Sequence, residues 1–220
     1  MSLEILYEDN HILAVLKPAG LLIQGDKSGR PTLLDIARKY LKDKYKKPGQ
    51  VYLGLVHRLD RPVAGVVIFA RTSKAASRLS REFRERRVKK IYRAVVEGVP
   101  PPAATLKDIL LRDRKSGLSR IMKEMVQGGQ QVGLSYRLIK KNKNRALLEI
   151  IPETGRHHQI RAQLSASGYP IVGDTAYGAK NKLPDGNIRL FCCQISFLHP
   201  VTKKELTIPA PLPTDFLSRN

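Results

Sequence analysis

Residues 56–70 have the sequence VHRLDRPVAGVVIFA, which joins a charged loop to an apolar strand. The run from Gly65 to Ala70 contains only glycine and apolar residues, a pattern typical of a buried strand. Val51 to Leu55 predicts a second, shorter strand upstream. The charged segment 57–62 therefore lies in a loop between two strands, with Asp60 near its middle.

On both sides of this stretch, strands and helices follow one another without regular β-α-β alternation. Strands are predicted at 5–7, 12–16, 90–97, 131–139, 145–151, 190–198 and 205–208, with a hairpin within 105–125. Helices are predicted at 31–41, opened by Pro31, at 73–86, and at 157–167, ended by Gly168. This order predicts an α+β fold with a large mixed or antiparallel sheet and flanking helices.

The chain has 220 residues, a length that suits one large domain or two small ones. A loop is expected over 20–30, and the prolines at 100–102 form the only candidate domain boundary. We find no internal repeat. We therefore expect a single domain over residues 1–220.

The composition indicates a folded protein with an anionic partner. Forty Lys and Arg residues against nineteen Asp and Glu give a formal net charge of +21, while hydrophobic residues make up 42% of the chain. That apolar fraction is normal for a globular domain and excludes a disordered basic tail. Nucleic acid is the commonest partner for such a charge, because bound cations release counterions from its backbone.

The positive charge is concentrated in two segments. Residues 81–93 contain seven basic residues and two acidic ones, and residues 137–145 contain five basic residues and no acidic one. Either segment alone could be a solvated face, and an anionic membrane surface is another possible partner. The low aromatic content of 6%, with no Trp, argues against a platform that stacks single-stranded bases.

The same sequence argues against membrane insertion and secretion. It contains no apolar run of eighteen residues, and its acidic start lacks the features of a signal peptide. The two cysteines, Cys192 and Cys193, are adjacent and cannot connect distant parts of the fold. We therefore expect a reducing, cytoplasmic setting.

Asp60 is the first candidate for chemistry. It lies between Arg58 and Arg61, whose charges favour the ionised carboxylate, and an ionised carboxylate can act as a nucleophile. The alternative is an aspartate that stabilises the turn before Pro62 or pairs with a neighbouring arginine.

The second candidate is the segment 153–161, ETGRHHQIR, at a predicted helix start. Its cations and hydrogen-bonding side chains could bind phosphate there. The alternative is ordinary helix capping, with Thr154 near the start and Arg161 facing solvent.

No motif for a metal, nucleotide or cofactor is present. The histidines and cysteines lack the spacing of a zinc site, and no phosphate-binding glycine loop or serine nucleophile motif occurs. We therefore expect chemistry carried out by side chains alone, with neither metal nor cofactor.

Several ordered motifs resemble the RluA family of RNA pseudouridine synthases. They are the loop and strand of residues 56–70 and four further stretches: 7–10 with 17–20, 90–94, 153–161 with 170–174, and 197–200. Together they extend over nearly the whole chain. The resemblance implies a pseudouridine synthase fold around a central cationic cleft, and isomerisation of uridine in RNA without a cofactor.

The resemblance also implies residue roles. Asp60 would be the catalytic nucleophile, attacking C1′ of the sugar or C6 of the base, and Arg161 would pair with it. Tyr92 would pack against the extruded base and help to remove the C5 proton, while Arg58 would fill the space that the flipped nucleotide leaves. Further RNA contacts are expected from the basic clusters and the 153–161 segment: His57, Arg86, Arg87, Lys140, Lys141, Lys143, Arg156, His158 and Gln159.

Two departures from the family pattern are present. Val63 and Ala64 replace a Thr-Ser pair that is frequent after the aspartate, which removes two hydroxyl groups near the loop. The chain also resembles a short form without the N-terminal S4 RNA-binding domain of many relatives. We expect a monomer that acts on structured rRNA or tRNA; a non-catalytic RNA-binding or ribosome-assembly protein of the same fold is the alternative.

Overall fold

The computed structural model describes residues 3–25, 29–214 and 216. The chain folds into two compact units, which are described separately. The first unit comprises residues 1–90 and 192–211, and the second comprises 91–191 and 212–220. The boundaries after residues 90 and 191 fall within strands, and residues 100–102 lie inside the second unit.

The first unit is built on buried antiparallel strands. Strands β1 (Glu4–Glu8) and β2 (Ile12–Lys17) form a hairpin, and β2 pairs with β4 (Ala64–Ala70), whose other partner is the short β3 (Gly54–Leu55). Strand β10 (Leu190–Leu198) neighbours β4 and pairs with β11 (Glu205–Pro209). The central residues of β2 and β4 are fully buried, as the apolar runs predicted.

Gly65 allows a close approach inside this unit. Its φ is +129°, and a Cβ there would lie 2.3 Å from the carbonyl oxygen of Cys192 in β10. Only glycine combines that backbone angle with so little space. Gly65 therefore allows the backbones of β4 and β10 to lie this close together.

Helices α1 (Leu33–Lys44) and α2 (Ser73–Arg84) belong to the same unit, and both begin after a capping threonine. At α1, the Thr32 hydroxyl accepts the Asp35 N–H, and the Asp35 carboxylate accepts the Thr32 N–H. This reciprocal cap starts the helix at Leu33. The prediction that Pro31 is its first residue is therefore wrong, since Pro31 precedes the cap.

The second unit contains an antiparallel sheet in the order β5-β9-β8-β6-β7. These strands are β5 (Lys89–Glu97), β6 (Ala103–Arg112), β7 (Ser119–Met122), β8 (Gln130–Lys141) and β9 (Arg145–Pro152). Strands β6 and β7 form the hairpin predicted within 105–125. Helix α3 (Gln159–Ala166) packs on this sheet through an apolar cluster of Leu110, Val132, Ala162 and Tyr177.

The architecture confirms the predicted α+β class, with shifts at some element ends. Strand β3 is shorter than the predicted 51–55, and α3 begins at Gln159 rather than at residue 157 because His158 adopts a left-handed φ of 53°. Of the predicted loop over 20–30, residues 26–28 lie outside the described part. Within the described residues, no helix is both long and apolar enough to cross a membrane.

Candidate active site and RNA-binding surface

The Asp60 loop is a tight turn in the first unit, between β3 and β4. The Val63 N–H donates to the Asp60 carbonyl at 3.1 Å, and the Gly20 N–H donates to the Arg61 carbonyl at 2.8 Å. Leu59 is buried, whereas Asp60 beside it is only partly buried.

Lys17, at the end of β2, holds this loop from the inside. Its side chain is fully buried, and Nζ donates to the carbonyls of Pro18 at 3.0 Å, Arg61 at 3.0 Å and Val63 at 2.6 Å. Burial lowers the pKa of Lys17 to about 7, although the negative charge of Asp60 opposes that change. Lys17 therefore fixes the backbone on both sides of Pro62 and interacts electrostatically with Asp60.

His57 anchors the start of the loop. Its Nε2 accepts the Ile68 N–H of β4 at 2.9 Å, and its ring stacks on Phe83 of α2 at 4.7 Å. Burial, followed by the charge of Lys90, lowers the pKa of His57 to about 3, so the imidazole is neutral at physiological pH. These contacts make His57 a structural anchor, and its predicted RNA contact stays a prediction. Arg58, the next residue, is exposed.

Arg161 lies in the first turn of α3, in the second unit, and is held by Asp174. Its Nε donates to Asp174 Oδ2 at 2.7 Å and its Nη2 to Oδ1 at 2.8 Å, with both side chains buried. The Tyr177 ring lies 4.7 Å from the guanidinium carbon. The alternative that Arg161 faces solvent is therefore wrong. Its pairing with Asp60, which belongs to the other unit, stays a prediction.

Gln159 closes the turn before α3. Its Oε1 accepts from the Thr154 hydroxyl at 2.6 Å and the Arg156 N–H at 3.1 Å, and its Nε2 donates to the Gly133 carbonyl and to Gln163. The amide thus makes four hydrogen bonds and is 3% exposed. The predicted RNA contact of Gln159 would require these bonds to break. Thr154 acts through Gln159 rather than as a helix cap.

The two neighbouring polar residues of this turn are more accessible. His158 is partly buried, its Nδ1 lies 2.9 Å from the Tyr177 hydroxyl, and its ring stacks on His157 at 3.7 Å. Arg156 is exposed. Tyr92 lies on β5 of the same unit, opposite Ile150 of β9, and is partly buried.

The basic clusters differ in how much of their charge is neutralised. In the second unit, Lys140, Lys141 and Lys143 are exposed around the β8–β9 turn. In the first unit, Arg86 is exposed with a left-handed φ of 59°, and Arg87 forms ion pairs with Glu82 and Glu85. The hydrogen bond from Arg87 holds the pKa of Glu82 below its ordinary value. The lysine cluster therefore offers the clearer anion-binding surface.

Three residues that hold the candidate residues of their own unit have no role predicted from the sequence: Lys17 behind the Asp60 loop, and Asp174 and Tyr177 beside Arg161. No local sequence pattern marks a residue as the buried partner of another. Among the described residues, no group of three or more His, Cys, Asp and Glu side chains could hold a metal ion.

Comparison with known proteins identifies what the chain is similar to. The family model of RNA pseudouridylate synthase matches residues 11–166. Ribosomal large subunit pseudouridine synthase D of Pseudomonas aeruginosa is 34% identical, over 99% of this chain and 70% of its own length. Ribosomal large subunit pseudouridine synthase C of Buchnera aphidicola is 36% identical, over 94% of this chain and 66% of its own.

The fold has solved counterparts as well. Human RNA pseudouridylate synthase domain containing 4 superposes with a TM-score of 0.80 at 26% identity, covering 97% of this chain and 90% of that one.

Proposed function

The chain belongs to the RNA pseudouridylate synthase family, and on this basis we propose that it converts specific uridines of ribosomal RNA to pseudouridine with Asp60 as the nucleophile. As a member of the family it is an isomerase that acts on RNA. Ribosomal RNA is favoured over transfer RNA because the similar bacterial proteins are named for the large ribosomal subunit.

The observation that carries the role of Asp60 is the buried Lys17 behind its loop. Three carbonyl contacts from one ammonium group hold the turn, so that the carboxylate is presented by a rigid backbone. Preorganisation of this kind lowers the cost of reaching the reactive geometry.

The reaction needs no oxidant or external group, because substrate and product are isomers. Asp60 attacks the sugar at C1′ or the base at C6, the bond between C1′ and N1 breaks, and the uracil rotates. A bond from C1′ to C5 then forms, and the bond from Asp60 to the sugar or the base breaks, which regenerates the free carboxylate. The C5 proton leaves, and N1 gains a proton. Tyr92 packs against the base and assists the removal of the C5 proton, and Arg58 fills the space of the flipped nucleotide.

Arg161 would pair with Asp60 and orient its carboxylate. Asp174 keeps the Arg161 guanidinium in one orientation, because two parallel hydrogen bonds restrict its rotation. The exposed lysines Lys140, Lys141 and Lys143 would bind RNA phosphates and offset the few kcal/mol that base flipping costs. We propose that the protein acts as a monomer in the cytoplasm, since its net charge disfavours self-association.

Tritium release from RNA labelled at uridine C5 tests the function, because isomerisation leaves the RNA mass unchanged but expels that hydrogen. Ribosomal and transfer RNA from a strain lacking this gene would be supplied separately. We expect release from ribosomal RNA, abolished by Asp60→Asn and retained by Asp43→Asn, whose carboxylate is exposed on α1.

Each alternative outcome has a clear meaning. Near-normal release by Asp60→Asn would remove Asp60 from the mechanism. Release from transfer RNA alone would overturn the proposed substrate. Binding without release from either pool, with intact ribosomal precursors also tested, would favour a non-catalytic role.

A further inference from the structure

The β6–β7 hairpin carries a cationic surface outside the segments considered so far. Residues 112–124 contain five basic residues and two acidic ones. All five basic side chains are exposed: Arg112, Arg114, Lys115, Arg120 and Lys123. The hairpin lies in the same unit as Arg161 and Tyr92.

The tip of this hairpin is ordered by its own hydrogen bonds. Asp113 accepts the Lys115 N–H at 2.8 Å and the Ser116 hydroxyl at 2.8 Å, while its own N–H donates to the Leu118 carbonyl at 2.8 Å. The bond from Ser116 is the main reason that the pKa of Asp113 lies below its ordinary value. Arg114 and Lys115 therefore project from a structured turn, which lowers the entropy cost of binding an anion.

The turn end of the hairpin, where Ser119 pairs with Arg112, is tied to the residues that hold Arg161. Ser119 is 1% exposed, its N–H donates to the Tyr177 hydroxyl at 2.8 Å, and its own hydroxyl donates to the His157 carbonyl at 2.7 Å. The same Tyr177 packs on the Arg161 guanidinium. A ligand on the hairpin would therefore be held at a defined distance from Arg161.

We propose that the β6–β7 hairpin is an RNA-docking element, in which the exposed cations of residues 112–123 bind the phosphate backbone of the substrate beside the modified uridine. The chemistry fits a polyanion, because the five cations occupy residues 112–123 and only one acidic side chain, Asp113, lies among them. The inference rests on the proposed function for the identity of the RNA, but its test is a binding measurement that needs no turnover.

The test compares the salt dependence of RNA binding between charge variants of the full chain. The probe is a labelled fragment of ribosomal RNA, with affinity measured from about 50 to 200 mM salt. Arg114→Gln with Lys115→Gln should lower the log–log slope by about 1.4 to 1.8, since each lost phosphate contact contributes roughly 0.7 to 0.9. Arg114→Lys with Lys115→Arg, which keeps the charge, should leave the slope within about 0.3 of the wild type, well below that expected loss.

A matched pair on α1 and the segment after it, Lys42→Gln with Lys47→Gln, removes the same charge from exposed positions of the first unit. An unchanged slope in the Arg114→Gln/Lys115→Gln variant would overturn the proposal. An equal loss of slope in the Lys42→Gln/Lys47→Gln variant would also overturn it, because that result would indicate a general effect of net charge. Thermal unfolding of each variant verifies that it is folded. If the wild type released no tritium, the proposed function would be refuted, but the difference in salt dependence between the variants would still test RNA binding by the hairpin.

Discussion

Asp174→Asn tests how much the buried pair with Arg161 contributes to the stability of the protein and to the orientation of Arg161. The two hydrogen bonds of 2.7 and 2.8 Å join side chains that are 7% and 2% exposed, so the pair is almost completely removed from water. Removing one partner of a buried pair costs about 3–5 kcal/mol, because the remaining charge stays buried without compensation. The asparagine oxygen still accepts one hydrogen bond, so we expect a loss of about 3 kcal/mol.

Urea unfolding followed by circular dichroism measures this loss as a shift in the midpoint. The matched control is Asp43→Asn, whose pair with Lys39 has side chains 60% and 78% exposed. Exposed pairs contribute about 0.2–1 kcal/mol, so the control should remain close to the wild type. Tritium release by Asp174→Asn should fall at least about tenfold at a temperature where the variant is folded, because Arg161 loses its fixed orientation.

Equal stability losses in Asp174→Asn and Asp43→Asn would refute this reasoning, since burial would then make no difference. A second variant separates stability from catalysis. Replacing both partners, with Arg161→Met and Asp174→Leu, should recover most of the stability because no buried charge remains. It should not recover tritium release, and recovery of both would show that Arg161 is dispensable for the reaction.

Three further predictions concern the first unit. Gly65→Ala should cost more than about 3 kcal/mol in urea unfolding, because its Cβ would meet the Cys192 backbone, whereas Gly49→Ala, with no atom within 4 Å, should be nearly neutral. Since burial lowers the pKa of Lys17 from 10.5 to about 7, the unfolded chain binds more protons between these values. The free energy of unfolding should therefore rise by up to about 1.4 kcal/mol per pH unit from pH 7 to 9, and this rise should be absent from Lys17→Met. The same dependence of stability on pH in both proteins would contradict the prediction. With a pKa of about 3, the His57 ring should show no NMR titration between about pH 8 and 5, and a midpoint near 6.5 would contradict its neutral state.

Much of the secondary structure could be predicted, because local periodicity reports burial. The apolar run at 65–70 and the hairpin within 105–125 were both correct. Helix α1 begins at Leu33 and not at Pro31, because the reciprocal cap between Thr32 and Asp35 determines its start more strongly than the general preference of proline for first helical positions. The start of α3 was shifted because nothing in the sequence indicates that His158 adopts a left-handed conformation.

The sequence by itself determined the charge, the buried strand after Asp60, and the motifs that identified Asp60 and Arg161 as candidates. Only the tertiary structure decided what holds them. Lys17 reaches carbonyls 44 and 46 residues away, and the Tyr177 hydroxyl accepts an N–H 58 residues away. Such contacts depend on how distant segments pack and exclude water, and burial then gives each buried charge and hydrogen bond its strength. That information is absent from any local pattern of residues.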